Sequence, residues 1–327
     1  MSSISIAIPT YNNAQFLDYL LEANTPLFEK YKIRVFISDN DSTDNTNEII
    51  NKWKVKYSLI TSRKVVRHVN FTKNTELALN LATTDFVWLM GDRYFIPEKT
   101  INYVLESIKL NPDTDLYVLN LEDMVKNIPP ADYTNSKLLL TDLGPLMTCV
   151  SSLLIRKEVL KELDFKKFDS SGFAHFCSIF EYLIDKDFHV LWNPEYSVYA
   201  INPNGVIRKN WSHDERALSQ AGTNWINSVF SLPPSYPLSS KLKCIQNFGV
   251  LSKLYTFRGI SLMRLRGNLT YSNYRKYSNE IRMIVKFPKF IVILMSIFPR
   301  TILKILYNLI SLFPKKITKK IGFVDNK

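Results

Sequence analysis

The sequence predicts an α/β fold on a mostly parallel, Rossmann-like sheet, followed by a basic helical tail. Short β-branched runs without charge, Ile4-Ser5-Ile6-Ala7-Ile8 and Val35-Phe36-Ile37, read as buried parallel strands. Each run breaks into small polar residues that open a helix. Asn13 precedes Phe16, Leu17, Leu20 and Leu21, and Thr43 or Asp44 precedes Ile49, Ile50 and Trp53. The third observation is where the charge lies. Residues 253–320 carry 15 Lys and Arg against one acid, Glu280, a charge of +14 in a chain of net charge +12. The other 259 residues sum to −2, so the α/β part is near neutral.

Strands are expected near 4–8, 33–38, 64–68, 86–90 and 115–121, alternating with helices through residue 120. Residues 122–145, with Pro129, Pro130, Gly144 and Pro145 among polar residues, read as a long loop. The chain is apolar again from Met147 to Leu163, with Arg156-Lys157-Glu158 opening a helical stretch. Phe173 to Ile184 repeats its apolar residues at a 3.6 period and predicts a helix. Val190-Leu191-Trp192 and Ser197 to Ile201 read as two short strands, Asn202–Ser212 as a polar loop and 213–230 as helix. A Pro-rich run from Ser231 to Pro237 then opens a linker. The expected division is a domain at 1–230 with halves 1–110 and 111–230, a linker at 231–240 and a helical region at 241–327.

Composition narrows the chemistry. Only 9 glycines occur in 327 residues, with no GxGxxG and no GxxxxGK[ST], so a bound diphosphate must be held by side chains, a metal or helix N-termini. Cys149, Cys177 and Cys244 are odd in number and far apart, which argues against a disulfide framework or zinc and for small buried hydrophobes. A strand begins within three residues of Met1 with no basic and apolar leader, so no signal peptide is read and a cytoplasmic location is expected. Nucleic acid is disfavoured as a partner, because the cations alternate with long apolar runs and no recognition motif appears.

In open α/β sheets, ligands bind at the carboxyl ends of the strands. Here those ends carry Pro9-Thr10-Tyr11-Asn12-Asn13, Ser38-Asp39-Asn40-Asp41-Ser42-Thr43-Asp44, His68-Val69-Asn70-Phe71-Thr72-Lys73-Asn74 and Gly91-Asp92-Arg93-Tyr94. In that order they resemble the "PTYN", "DDGSTD", "NxGFxxN" and "GDDD" segments of the family 2 glycosyltransferases, over residues 4 to about 110. Asn70 stands where glycine is usual, and Asn also tolerates a left-handed backbone. Within the family, the abequosyltransferase-like branch is the expected place. The resemblance implies the GT-A nucleotide-diphosphosugar transferase fold. It also implies an inverting enzyme that takes a sugar from a nucleotide-sugar donor, with UDP-sugars the leading candidates.

It further implies roles for residues. Pro9, Thr10, Tyr11 and Asp39 match the pocket for base and ribose, and a carboxylate, which only accepts, suits a pyrimidine ring N–H. Asn74 is expected on the phosphate side, and Asp44 at a helix cap. Asp92 matches the first carboxylate of a pair that holds Mn²⁺ or Mg²⁺, but Tyr94 replaces the second and Arg93 lies between. Two readings stay open: a weakened divalent site using Asp92 and His213, or a metal-independent site in which Arg93, Arg208 or Lys209 meets the diphosphate. The family's acidic base falls beside His175-Phe176, making His175 the candidate base and Asp169 the reserve. The loop Asn202–Ser212 matches a closing element, with Trp211 as its lid.

The tail points to a membrane. Phe287 to Phe298 is almost purely apolar, but Pro288, Lys289 and Pro299 confine it to roughly ten residues, against about 20 for a span. Ile302, Leu303, Leu306, Leu309, Ile310 and Phe313 repeat at helical spacing beside Arg300, Lys304, Lys315 and Lys316. Such a helix lies in the headgroup plane and attracts anionic lipid. The expected protein is therefore peripheral on the inner face of the cell membrane. Its expected acceptor is a lipid-linked oligosaccharide in surface polysaccharide synthesis. The alternative is a catalytically degenerate GT-A domain that binds saccharide or nucleotide sugar within a membrane complex.

Overall fold

The computed structural model describes residues 3–202, 214 and 216–311. The chain divides into two compact units: unit 1, Met1–Ile207 with Leu232–Pro237, and unit 2, Arg208–Ser231 with Leu238–Lys327.

Unit 1 opens with strictly alternating elements. These are β1 (Ile4–Thr10), α1 (Ala14–Lys30), β2 (Arg34–Asp39), α2 (Thr46–Lys56), β3 (Ile60–Lys64), α3 (Phe71–Leu81) and β4 (Phe86–Leu89). Then come β5 (Tyr94–Phe95), α4 (Glu98–Leu110), β6 (Leu116–Leu121), β7 (Ala131–Tyr133), α5 (Ser136–Asp142), β8 (Leu153–Arg156), α6 (Lys157–Glu162), α7 (Ala174–Ile184) and β9 (Val190–Ala200). Among the described residues, nine strands form one sheet in the order β3-β2-β1-β4-β8-β6-β9-β5, with β7 on β9. The four strands β3, β2, β1 and β4 are parallel, β8 runs against both its neighbours, and β9 returns parallel to β6. The strands β1 and β4 are buried along their whole length, so both sheet faces are covered and alternation is absent from the sequence. Ile6, Ile8, Val35, Ile37, Trp88 and Tyr117 form the centre of the core.

Several boundaries differ from the sequence expectation. The third strand lies at 60–64, paired with Val35 to Asp39, and Val66 is 98% exposed. Its β-branched neighbours look strand-like, but pairing with β2 decides the register. The expected loop at 122–145 contains β7 and α5, the latter capped by Asn135, whose side-chain oxygen accepts from the N–H of Lys137 and Leu138. The two strands expected near 190 and 197 are one strand, β9, whose register on β6 shifts beyond Asn193. Leu232 and Tyr236 are buried within unit 1, and the Tyr236 hydroxyl donates to the Phe180 carbonyl at 2.7 Å.

Unit 2 is helical among the described residues. The helix α8 (Arg216–Leu218) passes through a π turn at Ser219–Asn224 into α9 (Trp225–Ser231). There follow α10 (Leu238–Leu251), which starts inside the stretch expected as linker, α11 (Phe257–Arg266), α12 (Tyr271–Lys276), α13 (Ser278–Ile284), α14 (Lys289–Ile297) and α15 (Arg300–Ser311). The Trp225 ring packs on Phe248 at 4.7 Å, and Thr223 donates to Glu280 at 3.0 Å.

Candidate active site

The parallel pairing of β1 with β2 sets Thr10 opposite Asp39 at one sheet edge. Asp39 is only 1% exposed. Its Oδ1 accepts from the Ser42 N–H at 3.1 Å, while Oδ2 has no partner among the described residues. A buried acceptor left without a partner costs about 1–3 kcal/mol. The surrounding loops are tied together by side-chain hydrogen bonds. Asn40 donates to the Val69 carbonyl and accepts its N–H, at 2.7 and 2.9 Å. Asn12, at φ 45°, gives its N–H to Ser42 Oγ and takes the Thr43 N–H, at 2.9 and 2.8 Å. Tyr11 is 46% exposed, with its ring 4.4 Å from that of His68. Pro9 is buried in β1 opposite Ser38.

Asp44 joins two helix starts. Its Oδ2 accepts from the Ala14 N–H and its Oδ1 from the Thr46 N–H, at 3.0 and 3.1 Å. Burial works to raise its carboxyl pKa, but the bonds from Thr46 and Ala14 outweigh it and hold the group below the usual range. The capping expected of Asp44 thus extends to both α1 and α2.

Asn74 is a clamp. Its Nδ2 donates to the Thr10 and Ser38 carbonyls at 3.3 and 3.2 Å, and its Oδ1 accepts from Ser38 Oγ at 2.7 Å. With every polar atom engaged by protein, it ties α3 to the ends of β1 and β2. Asn70, expected in a left-handed turn, is extended at φ −68° and caps α3, accepting the Lys73 N–H at 2.8 Å. Its Nδ2 donates to Asp169 Oδ2 at 2.7 Å, which brings this exposed carboxylate to the head of α3.

Beyond β4 lies Asp92, its side chain 17% exposed. Thr10 Oγ1 donates to Asp92 Oδ2 at 3.0 Å, and Arg93 Nε stands 3.7 Å from Oδ1. Burial pushes this carboxyl pKa up, against the lowering pull of the Asn13 amide, Arg93 and Thr10. The Arg93 guanidinium also lies 4.8 Å from the centre of the Phe16 ring and donates to Asn13 Oδ1 at 3.5 Å. Tyr94, where the second carboxylate was sought, pairs with Ala200 in the sheet, and its hydroxyl accepts from Cys149 Sγ at 3.6 Å. Among the described residues no three His, Cys, Asp or Glu side chains gather as metal ligands. Of the two ligands expected for a divalent ion, Asp92 is bonded to a hydroxyl and faces a guanidinium, and His213 lies outside the described residues.

His175 lies in α7, only 5% exposed, with Nε2 3.1 Å from the Thr148 carbonyl. Burial holds its pKa down to about 4, so the ring stays neutral near pH 7. The segment it grips also supports the Asp92 loop: Ser151 Oγ accepts the Gly91 N–H at 3.0 Å, and the Ser151 carbonyl accepts Trp88 Nε1 at 2.9 Å. This geometry suits an anchor better than the base expected at His175, which needs an open path to a hydroxyl. Trp211, His213, Arg208 and Lys209 lie outside the described residues. Asn12, Asn13 and His68 stand in the matched segments but carry no site role in the sequence expectation. The doubled amide directly after a strand was the available signal for the first two.

Residues 5–163 match the family model described as Glycosyl transferase family 2. Abequosyltransferase RfbV of Salmonella typhimurium is 28% identical over 191 residues, covering 50% of this chain and 55% of that protein. Poly(ribitol-phosphate) beta-N-acetylglucosaminyltransferase TarS of Staphylococcus aureus is 28% identical over 102 residues, covering 31% of this chain and 18% of that protein. The chain thus spans about half the length of one curated relative and less than a fifth of the other. The structure of S. aureus TarS 1-349 with UDP-GlcNAc superposes with a TM-score of 0.56 at 15% identity, covering 94% of this chain and 92% of that one. Mannosyltransferase PcManGT from Pyrobaculum calidifontis, with GDP-Man and Mn²⁺, gives a TM-score of 0.51 at 13% identity over 90% of this chain and 87% of that one. The fold is the expected GT-A fold.

Proposed function

We propose that this family 2 glycosyltransferase, matched to the family over residues 5–163, moves a sugar from a nucleoside diphosphate donor to a lipid-linked saccharide, with inversion, in surface polysaccharide synthesis. The observation that carries the donor half is Asp39 Oδ2, a buried acceptor with no partner among the described residues. A pyrimidine ring N–H supplies the donor it lacks, and the half-exposed Tyr11 beside it offers a face for the ring. Uridine diphosphate is the first nucleotide to try. On the diphosphate side, Arg93 is the cation at hand, and a guanidinium can bind two phosphate oxygens at once.

An acceptor hydroxyl needs a base to take its proton. Asp169 is the better placed candidate, because it is exposed and bonded to Asn70 at the head of α3, one turn from the clamp that touches Thr10. The acceptor and location rest on unit 2, whose cations and exposed apolar residues suit the cytoplasmic face of a membrane. The test is a screen of uridine, thymidine, guanosine and cytidine diphosphate sugars, with and without Mn²⁺, scored by binding and by sugar transfer to membrane lipid extracts. Turnover with a uridine diphosphate sugar is expected. Binding without turnover would select the degenerate, saccharide-binding reading, and no binding of any donor would overturn both.

A further inference from the structure

We infer that α14 and α15 form a clamped corner that lies in one leaflet of an anionic phospholipid bilayer and cannot straighten to cross it. This rests on the membrane location proposed above and is independent of the sugar chemistry. Taken together, Lys289–Ile297 and Arg300–Ile310 have the length and composition of a span, but they meet at 103°, and no single helix among the described residues is long and apolar enough. The bend is held from both sides. Arg264, on α11, donates Nε to the Phe298 carbonyl at the break, at 2.9 Å, and a second nitrogen to the Leu269 carbonyl at 3.1 Å. Arg300, the first residue of α15, donates back to the Leu265 carbonyl near the end of α11, at 2.9 Å. Gly267 ends α11 at φ 89°, a conformation that favours glycine, and a Cβ there would stand 3.2 Å from the Arg300 guanidinium. Pro299 has no N–H with which to continue a helix across the break.

Both helices of the corner expose apolar residues. On α14, Phe290, Leu294 and Ile297 share one side and are 57, 57 and 56% exposed, while Val292 and Ser296 are buried beneath. On α15, Ile302, Ile305, Leu306 and Leu309 are exposed and Leu303 is buried. Arg282, Lys286, Lys289, Arg300 and Lys304 lie among and beside these residues in the sequence, all exposed, and no acid occurs between Glu280 and Ser311. A second copy of the chain would set cation against cation. An anionic bilayer instead supplies an apolar interior under a negative surface, which matches both parts of the pattern.

The test uses the full chain with vesicles of phosphatidylcholine, alone or mixed with phosphatidylglycerol. The wild type is expected to float with the mixed vesicles and to be released by salt. The double variant Leu294→Glu, Ile305→Glu changes two exposed positions, and should lower the bound fraction about tenfold or more with its circular dichroism unchanged. Depth is read from nitroxide labels on Leu294→Cys and Ile305→Cys in a Cys149→Ser chain, since Cys177 and Cys244 are buried. Both labels should sit at the same shallow depth. The inference is overturned by a label at the bilayer centre, by undiminished vesicle binding of the double variant, or by a wild type that dimerises in sedimentation and ignores vesicles. Vesicle binding without sugar transfer supports the corner and counts only against the chemistry proposed above.

Discussion

Asp39 and His175, one in each half of unit 1, use their buried polar atoms in opposite ways. Among residues 3–110, Asp39 keeps one carboxylate oxygen open at the strand ends, with Thr10 and the exposed Tyr11 beside it. Among residues 111–202, His175 is buried with its Nε2 on a backbone carbonyl, and the segment it grips in turn supports Gly91. An open acceptor calls for a ligand, whereas a closed one fixes the protein. On the function proposed above, Asp39 is the residue of the first half that meets the donor. In the second half, the segment that His175 grips supports Gly91, and the exposed Asp169 accepts from Asn70 at the head of α3.

That assignment of Asp169 is where the comparison breaks most visibly if it is mistaken. Asp169→Asn keeps an acceptor for Asn70 but loses the basic oxygen, so kcat should fall by about 10²–10⁴ with nucleotide binding unchanged. A variant within a few-fold of wild type in steady-state transfer would leave the base elsewhere.

The anchoring role of His175 predicts a stability effect of the next size. Its pKa is lowered from 6.5 to about 4 on folding, so the unfolded chain takes up a proton before the native one does. Stability is therefore lost as pH falls from about 6.5 towards about 4, by up to about 3 kcal/mol, and is level in this contribution below that. Urea midpoints across that window should show the loss in wild type and a flatter profile in His175→Asn. If His175→Asn instead erased an activity limb near neutral pH without altering the urea profile, the second half would be catalytic after all.

Asp39 tests the other side of the comparison. Asp39→Asn keeps an oxygen for the Ser42 N–H and can present an amide donor in place of the open acceptor, so uridine diphosphate binding should weaken by about 1–3 kcal/mol. Calorimetry with the free nucleotide measures this directly, and equal affinity in the variant would mean that the open oxygen faces water alone.

The same division governs how much was legible in the sequence. Parallel βα units bring every strand's carboxyl end to one edge, so Thr10 and Asp39 fall together from chain order, whereas Asp92 was singled out by the family resemblance. The reversed β8 and the short strands β5 and β7 break that rule, and position along the chain there says little about position in space. His175 was read as a base from its place in a motif, but burial in α7 is set by tertiary packing that no local pattern reports. Asn74 shows a second blind spot, since an amide that clamps two strand carbonyls and one that meets a phosphate look alike in a sequence. The third strand was misplaced because Val65 and Val66 have β propensity, whereas Ile60 to Lys64 make the hydrogen bonds.

The smallest expected effects concern Arg93 and Tyr94, where the two carboxylates of the first half part company. Asp39 has an oxygen to offer, while Asp92 already binds Thr10 and faces Arg93. If that guanidinium meets charge growing on the leaving diphosphate, Arg93→Ala should lower kcat about tenfold and change KM less, as loss of a transition-state contact does. EDTA should leave the wild-type rate unchanged. Tyr94→Asp places a second carboxylate two residues from Asp92 and should bring a modest, saturable response to Mn²⁺ that the wild type lacks. The gain should be small, because the Tyr94 backbone is fixed in β5 and its side chain packs towards Cys149 rather than towards Asp92. A wild type fully silenced by EDTA and restored by micromolar Mn²⁺ would reverse this account. Asp92 would then have to leave Thr10 and Arg93 for the ion, and the contrast with Asp39 would disappear.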